Sequence, residues 1–584
     1  YNCPPGDWSS PPAADWGGAK HGEGEPVVGQ VTARTQATQE ATAAARPMTG
    51  GQAVVAMLKQ EGVQTIFGLP GVQLDPIFDA LYDERDTIRV LQTRHEQAAA
   101  YMADGYARVT GKEGICLVVP GPGLLNASAA LATAYACNSP VLCLTGQIRS
   151  DLIGAGRGLL HEISDQLAVA RAVTKHAARA TRVEEIPGTM REAFRQLRSG
   201  RPRPVEVEVP PDTLYATAEI TLPPPAGPRE RPAGDPDLIE QAAKLLGAAR
   251  EPLIYAGGGI LRSGASEELL RLAELLQAPV IISNNGKGAI SDRHYLAHGP
   301  VTDRELRPKA DVILAVGTRF VGVSNEPRQV TPGQRLIQLD IDPEEIGRNQ
   351  PVSVGIEADA KAGLAALAER VERHNRARPS REAELTALKR AVEERVRSIQ
   401  PQAGFALAIR AELPDDGIVV GEMTQVGYWC NLGYPTYLPN TYLTPGYQGT
   451  LGFGFTLAMG AKVGRPDLPV VSINGDGGFG FTLNEIATAV QHEIGVVALI
   501  FNDNAYGNVR RIQRVEFGGR TIASDLVNPD FLALARAFGI AGRRAETPDD
   551  LRVQLREALA AGEPALIEIP VGEMPHIWRS LGLQ

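Results

Sequence analysis

The sequence predicts an α/β protein built from three doubly wound parallel-sheet domains. From Met48 onward, short apolar runs alternate with segments of helical periodicity, the pattern of parallel sheets covered on both faces. A chain of 584 residues is too long for a single hydrophobic core. A proline-rich stretch and a highly charged stretch divide it into three blocks. We therefore expect three domains of similar architecture joined by two linkers.

The segment 1–47 differs from the rest of the chain. It is rich in Pro, Gly, Ala and Ser and has no periodicity, so we expect a disordered tail. Met48 opens the first periodic segment, TGGQAVVAMLKQEGV. We hypothesise that the natural polypeptide begins at Met48 and that the tail is not native.

The first domain is predicted over residues 48–220. TIRVLQ, GICLVVP, PVLCLTG and PVEVEVP have the length and the apolar or β-branched composition of buried strands. ALATAYA and PGTMREAFRQL have helical periodicity. The proline-rich stretch that follows, residues 221–236, is expected to be an extended linker.

The second domain is predicted over residues 237–372. Its expected strands are PLIYA, APVIIS, DVILAVG and RLIQLDID, and ASEELLRLAELL is an amphipathic helix between the first two. AGGGI, after the first strand, is too loose a glycine pattern to indicate a nucleotide site by itself. The charged stretch 373–400 is expected to be a partly helical linker.

The third domain, residues 401–584, contains the stretch VSINGDGGFGFTLNEIATAVQHEIGVVALIFNDNAYG. Two expected strands flank a helical segment, so their carboxyl ends lie at one sheet edge, where ligands bind in such folds. Asp476 follows the first strand, and Asn502, Asp503 and Asn504 lie at the end of the second. Such oxygen ligands suit Mg²⁺ or Ca²⁺, and a glycine turn at a helix start suits a phosphate. An ordinary strand-to-helix turn is the alternative.

Bulk properties exclude several classes of partner. The formal net charge of −10 gives no basis for nucleic-acid binding. No apolar run approaches the length of a bilayer span, so we expect no membrane partner. Five cysteines without CxxC spacing indicate a reducing cytoplasm.

The third-domain stretch as a whole resembles the metal and diphosphate motif of the thiamine diphosphate-dependent enzymes. This resemblance implies thiamine diphosphate and Mg²⁺ as cofactors, a pyrimidine-binding first domain and a diphosphate-binding third domain. It assigns the metal to Asp476, Asp503 and the main-chain carbonyl of Ala505. Position 503 is Asp where the family has Asn, so Asn502 or Asn504 is the alternative second ligand.

Two more third-domain segments resemble the cofactor-binding parts of that family. In GYQGTLGFGFTLAMGA, Leu451 corresponds to the apolar residue that supports the bent cofactor, and the Gly449 carbonyl to the acceptor for its exocyclic amine. Periodicity alone would make Leu451 an ordinary core residue. In GEMTQVGYW, Thr424 corresponds to a diphosphate contact. The turn and the strand end supply the remaining assigned contacts: Gly475, Gly477, Gly478 and Asn502.

The first domain contains LQTRHEQAAAYMADGYARVTG, which closely resembles the family segment HExxAxxxAxGYAR. The resemblance implies that Glu96 is the catalytic carboxylate that exchanges a proton with the aminopyrimidine ring. In the family this glutamate contacts the cofactor of another subunit, which implies a homo-oligomer, a dimer or tetramer, with active sites between subunits. A carboxylate that merely complements a helix amino terminus is the alternative.

FGLPGVQLDPIFDAL, GLLHEISDQLAVARAVTKH and DIDPEEIGRN resemble the acetolactate synthase branch of the superfamily. That branch decarboxylates a small 2-oxo acid such as pyruvate and joins the product to a second carbonyl. We assign five residues to the substrate pocket: Val72, Gln73, His161, Lys175 and Ile512. Val72, His161 and Ile512 replace a glycine, a glutamine and a tryptophan of that branch. A structural His161 bonded to Glu162 is the alternative.

FAD is a further cofactor of the acetolactate synthase branch, bound in the middle domain. GTRF, residues Gly317–Phe320, resembles one of its contacts. The loop after LAHGP is shorter than in that branch. We therefore favour a middle domain without FAD.

Other functions stay open. The same chemistry serves a simple 2-oxo-acid decarboxylase or a benzaldehyde lyase-like acyloin lyase/ligase, and an oxidase would in addition need FAD. In another class, the chain is a catalytically inactive regulatory subunit. Such a subunit would need neither Glu96 nor Asp476.

Overall fold

The computed structural model describes residues 44–322 and 326–582. The predicted tail therefore lies outside the described residues as far as residue 43. Strand β1 (Arg46–Thr49) pairs antiparallel with β8 (Thr217–Ile220) and so ties the start of the first domain to its end. Within the described residues, regular secondary structure therefore begins two residues before Met48, the expected start of the first domain.

The first domain contains a six-stranded parallel sheet whose two faces belong to different hydrophobic clusters. Its strands are β2 (Thr65–Gly68), β3 (Arg89–Gln92), β4 (Gly114–Val118), β5 (Val141–Gly146), β6 (His176–Arg179) and β7 (Val205–Val209). Their spatial order is β3-β2-β4-β5-β7-β6. The helices are α1 (Gly50–Gln60), α2 (Asp75–Asp83), α3 (Glu96–Thr110), α4 (Pro122–Ala136), α5 (Gln166–Val173), α6 (Ile186–Arg198) and α7 (Pro211–Tyr215).

The second domain repeats this architecture. Its strands are β9 (Pro252–Ala256), β10 (Val280–Ile282), β11 (Ala297–His298), β12 (Val312–Val316), β13 (Arg335–Asp340) and β14 (Val354–Glu357), and they lie in the order β11-β10-β9-β12-β13-β14. The helices are α8 (Pro236–Ala248), α9 (Gly258–Ser263), α10 (Ser266–Leu276), α11 (Asp303–Leu306) and α12 (Ala360–His374). Helix α13 (Glu382–Arg397) occupies most of the expected second linker.

The third domain contains the third parallel sheet. Its strands are β15 (Ile418–Gly421), β16 (Tyr442–Leu443), β17 (Val470–Gly475), β18 (Val496–Asn502), β19 (Ala541–Arg544) and β20 (Ala565–Pro570), in the order β16-β15-β17-β18-β20-β19. The helices are α14 (Gln402–Glu412), α15 (Gln425–Gly433), α16 (Phe453–Gly464), α17 (Asp476–Phe479), α18 (Ile486–Gln491), α19 (Gly507–Glu516), α20 (Phe531–Ala537), α21 (Pro548–Ala561) and α22 (Ile577–Ser580). The prediction of three parallel-sheet domains is confirmed.

Helices α3 and α16 join the first and third domains by an unusually close crossing. A Cβ atom added to Gly460 would lie 2.0 Å from the main-chain oxygen of Met102, and one added to Gly105 would lie 2.1 Å from that of Leu457. Apolar side chains of both domains continue the contact as one hydrophobic cluster. The two helices can therefore touch backbone to backbone only because these positions lack side chains.

Within the described residues, no helix is both long enough and apolar enough to cross a membrane.

We predict that Gly460→Ala destabilises the protein. Its new methyl group would meet the backbone of α3 rather than a flexible side chain. We therefore expect the free energy of unfolding to fall by about 1–3 kcal/mol. Gly188→Ala is the matched control, because Gly188 is a helical glycine with open space around it. It should leave the stability unchanged or raise it by up to about 1 kcal/mol. Thermal unfolding checks both variants. Equal unfolding temperatures of the two variants would contradict the tight crossing of α3 and α16.

Candidate active site

The ends of strands β17 and β18 bring Asp476 and the segment 502–505 together at the carboxyl edge of the third sheet. The strands are parallel neighbours, with Gly475 opposite Phe501. Asp476 is the first residue of α17, and its Oδ2 accepts a hydrogen bond of 3.2 Å from the main-chain N–H of Ala505. Burial raises the pKa of Asp476, while Asn528 and main-chain amides oppose that rise.

Asn528 is a residue of this site that the sequence analysis missed. Its Nδ2 donates to Oδ2 of Asp476 at 2.6 Å, to Oδ1 of Asn502 at 3.0 Å and to Oδ1 of Asn504 at 3.2 Å. Three side-chain oxygens therefore converge on one point. Asn528 lies in an irregular segment after α19, where neither periodicity nor a motif distinguishes it.

Asp503 is paired with an arginine. Its Oδ2 accepts from Nη2 of Arg510 at 3.3 Å, and the same guanidinium donates to Oδ1 of Asp525 at 3.0 Å. Burial and the neighbouring charge of Asp476 raise the pKa of Asp503 to about 6, against the opposing effect of Arg510. The additional negative charge that the sequence places at position 503 is thus partly neutralised within the chain.

Glu422 is a second feature that the sequence analysis passed over. Its Oε1 accepts from the main-chain N–H of Gly452 at 2.6 Å, at the start of α16, and its carboxyl group lies against Gly478. Its Oε2 is buried without a hydrogen-bond partner. Burial raises the pKa of Glu422 to about 8. A carboxyl group therefore lies beneath the glycine turn that begins at Asp476.

The remaining third-domain candidates lie near this turn. A Cβ added to Gly475 would lie 3.7 Å from Cβ of Thr424, the residue before α15. Gly449 has a φ of +58° and approaches the methyl end of Met423. Leu451 immediately precedes Gly452, which Glu422 binds. Gly477 packs against the ring of Tyr506.

Glu96 is the first residue of α3 and lies at the edge of the first domain. It is buried, and its Oε2 accepts a hydrogen bond of 2.9 Å from Nδ2 of Asn126. The preceding residue, His95, caps the helix by accepting from the main-chain N–H of Gln97. A side chain of α4 thus holds one oxygen of the Glu96 carboxyl group.

Three of the five substrate-pocket candidates lie together in the first domain. Nδ1 of His161 lies 3.2 Å from Oε1 of Gln73, and Nε2 of Gln73 donates to the main-chain oxygen of Leu160. Val72, beside Gln73, is 60% exposed. The alternative in which His161 binds Glu162 is not observed, because Glu162 instead accepts from main-chain amides of the preceding loop.

The structure does not bring Lys175 to that group within one chain. Nζ of Lys175 donates to the main-chain oxygens of Ser199 and Arg201, at 2.7 and 2.9 Å. It lies where β6 begins, at the edge opposite the strand ends. Burial and nearby arginines lower its pKa to about 8. Ile512 lies on α19, the helix whose Arg510 binds Asp503. The pocket roles of both residues stay predictions.

The glycines of AGGGI have a structural role in the second domain. A Cβ added to Gly257 would lie 2.0 Å from the oxygen of Gly317, and the N–H of Gly259 donates to that oxygen at 3.1 Å. The turn after β9 therefore packs directly against the start of GTRF. The glycine pattern consequently gives no separate evidence for a nucleotide.

Three parallel-sheet domains, with side-chain oxygens converging at one sheet edge and a buried carboxyl group at a helix start, form an arrangement that suits a cofactor-dependent enzyme. Models of the N-terminal, central and C-terminal domains of thiamine pyrophosphate enzymes match residues 48–169, 239–367 and 422–569. The chain belongs to the thiamine pyrophosphate enzyme family, and it is an enzyme of the acetolactate synthase-like carboligase and decarboxylase group.

Curated relatives cover nearly the whole chain. A probable acetolactate synthase large subunit of Methanocaldococcus jannaschii is 38% identical, over 90% of this chain and 92% of the relative. A probable 2-ketoarginine decarboxylase of Pseudomonas aeruginosa is 36% identical, over 90% and 94%. An acetolactate synthase of Mycobacterium avium is 35% identical, over 91% and 89%.

We predict that Asp503→Asn stabilises the cofactor-free protein at alkaline pH. Because the folded-state pKa of Asp503 is raised to about 6, folding disfavours its ionised form. Thermal unfolding should therefore give the variant the higher Tm at about pH 8, with the gain disappearing below about pH 4, where the carboxyl group is largely protonated in both states. Asp525→Asn, which removes the exposed partner of Arg510, is the control and should show no such gain. A gain that persists in acid would contradict this reasoning.

Proposed function

We propose that this protein uses thiamine diphosphate and Mg²⁺ to decarboxylate a small 2-oxo acid such as pyruvate and to join the product to a second carbonyl compound, as an acetolactate synthase-like carboligase. Two of the relatives described above, a probable acetolactate synthase large subunit and an acetolactate synthase, support the choice of reaction. We further propose that the enzyme acts in the cytoplasm.

The oxygen cluster around Asp476 is the observation that carries the proposal. Oxygens of Asp476, Asn502 and Asn504 already converge on the amide nitrogen of Asn528, and a divalent cation takes the same kind of oxygen ligand. The proposed metal ligands are Asp476, Asp503 and the carbonyl of Ala505. Asn502 or Asn504 is the alternative to Asp503. The side-chain oxygens of both asparagines accept from the same Asn528 nitrogen as Asp476 does.

The surroundings of this cluster suit an anionic, partly apolar cofactor. Gly475, Gly477 and Gly478 carry no side chains on either side of Asp476, and Thr424 stands beside the turn, directly before α15. We propose that Thr424, the three glycines and Asn502 hold the diphosphate and that Gly449 and Leu451 support the rings.

Glu96 is the residue that we propose to move the proton. When bound, thiamine diphosphate supplies the electron sink for loss of the substrate carboxyl group. The chain provides a carboxyl group to hold and return a proton at the pyrimidine ring nitrogen, and Asn126 fixes the orientation of that carboxyl group. The protein also positions the substrate, by Val72, Gln73, His161, Lys175 and Ile512.

We propose a homo-oligomer, a dimer or tetramer, in which Glu96 acts on the cofactor of a neighbouring subunit. Large apolar side chains near the candidate sites remain exposed in the single chain, as an interface between copies would require. They include Val72, Leu160, Phe481, Val509, Phe517 and Ile522. A partner subunit that brings its first domain to this face would complete each site.

A simple 2-oxo-acid decarboxylase or an acyloin lyase/ligase is the second candidate. It is favoured by the similarity to a probable 2-ketoarginine decarboxylase and by the pocket, in which Val72 and His161 stand where the acetolactate synthase branch has a glycine and a glutamine. We propose no FAD. A catalytically inactive subunit is disfavoured because the chain retains both Glu96 and Asp476.

We predict that Glu96→Gln lowers turnover by about 100-fold or more while cofactor affinity is preserved, because the amide cannot exchange the proton.

We predict that Asp476→Ala instead abolishes Mg²⁺-dependent cofactor binding. Titration of thiamine diphosphate at fixed Mg²⁺, together with initial rates, checks both. Unaltered turnover of the first variant would remove Glu96 from the mechanism, and ordinary binding by the second would refute the metal site.

We predict acetolactate as the product from pyruvate, thiamine diphosphate and Mg²⁺. Product analysis by NMR, beside the Glu96→Gln control, distinguishes the candidate functions. Acetaldehyde or acetoin would favour the decarboxylase and lyase group. Unchanged pyruvate would exclude it as the donor and direct the search to other 2-oxo acids.

A further inference from the structure

Glu485 is a buried carboxylate of the third domain that binds the backbone of the first domain. It ends a short turn, Leu483–Glu485, directly before α18, and its side chain is fully buried. The main-chain N–H of Arg94 lies 3.1 Å from both Oε1 and Oε2 of Glu485. Arg94 belongs to the turn between β3 and the helix that Glu96 begins.

The groups that face Glu485 are hydrogen-bond donors. The hydroxyl of Thr488 donates to Oε2 at 2.6 Å, and Nδ2 of Asn484 donates to Oε1 at 3.2 Å. Burial raises the pKa of Glu485, while Thr488 and the main-chain amides of Arg94 and His95 oppose the rise. An acceptor-only carboxylate suits this donor set because both of its oxygens are used.

Other contacts around Glu485 are more exposed. Nε2 of Gln97 donates to the main-chain oxygen of Phe481 at 3.1 Å, and Nη2 of Arg94 donates to Oε1 of Gln491 at 2.9 Å. The loop that follows the Asp476 turn therefore holds the chain on both sides of Glu96. Within this loop, Glu485 combines a buried carboxyl group with a direct hydrogen bond to the backbone before the helix.

We propose that Glu485 is a positioning residue for Glu96. It fixes the main-chain turn at Arg94 and His95, which sets the direction in which α3 begins and therefore where the Glu96 carboxyl group points. This inference rests on the proposed function of Glu96. Proton transfer depends steeply on placement, and a misplacement of about 1 Å costs on the order of 100-fold in rate.

Glu485→Gln is the sharpest variant. It preserves the size of the side chain but replaces one acceptor oxygen by an NH₂ donor, which must face another donor. We would measure hydrogen–deuterium exchange at the thiazolium C2 position of bound thiamine diphosphate, by acid quench and NMR, in the full-length protein with Mg²⁺. We expect the exchange to slow by about 10- to 100-fold at unchanged cofactor affinity.

Two comparisons separate positioning from a merely structural role. Gln491→Ala is the matched control, because it removes a contact to the Arg94 side chain and leaves the backbone bond intact; its exchange rate should be that of the unmodified protein. In a double variant, Glu485→Gln should add nothing to the loss caused by Glu96→Gln, since it acts through Glu96.

An unchanged C2 exchange rate in Glu485→Gln would overturn the proposal. A slower exchange accompanied by an equal loss of cofactor affinity, or by a loss of thermal stability, would overturn it as well. If that variant does not fold, Thr488→Val removes the 2.6 Å donor and should slow exchange in the same direction. Failure of the proposed function is distinguishable, because Glu96→Gln alone would then leave exchange unaltered.

Discussion

The close crossing of α3 and α16 is the contact on which the candidate site depends. The amino end of α3 carries Glu96, and the amino end of α16 follows Gly449 and Leu451 and is bound by Glu422. Gly105 and Gly460 let the two backbones touch, so the positions of both helix starts are fixed by main-chain contact rather than by flexible side chains.

The fold was largely predictable because buried parallel strands are long apolar runs. β4, β5, β12 and β18 all lie where such runs indicated them. The strands that pattern did not identify are short or weakly apolar: β6 is four residues of HAAR, and β11 has only two. Their strand conformation comes from pairing with a neighbour in the sheet, which local composition does not record. The helical segment expected after the GDG turn is interrupted: α17 ends at Phe479, and α18 begins only at Ile486.

Within the candidate site, the sequence predicted the contact between groups that lie at the ends of neighbouring strands. The meeting of Asp476 with the segment 502–505 follows from the β-α-β connection alone. Residues that reach the site from elsewhere could not be found in this way. Asn528 comes from an irregular loop, and Arg510 reaches back from α19 to Asp503. The Gln73–His161 contact likewise depends on tertiary folding that brings distant positions together.

The glycine-to-backbone crossing also bears on how such a protein can be divided. Residues of the first and third domains share one hydrophobic cluster around α3 and α16, although the second domain separates them in sequence. Cutting the chain at its linkers would expose that shared surface on both fragments, so we expect each outer domain to lose stability without the other. The middle domain has a hydrophobic cluster of its own. A gene rearrangement that exchanged it would therefore leave the cluster shared by α3 and α16 intact.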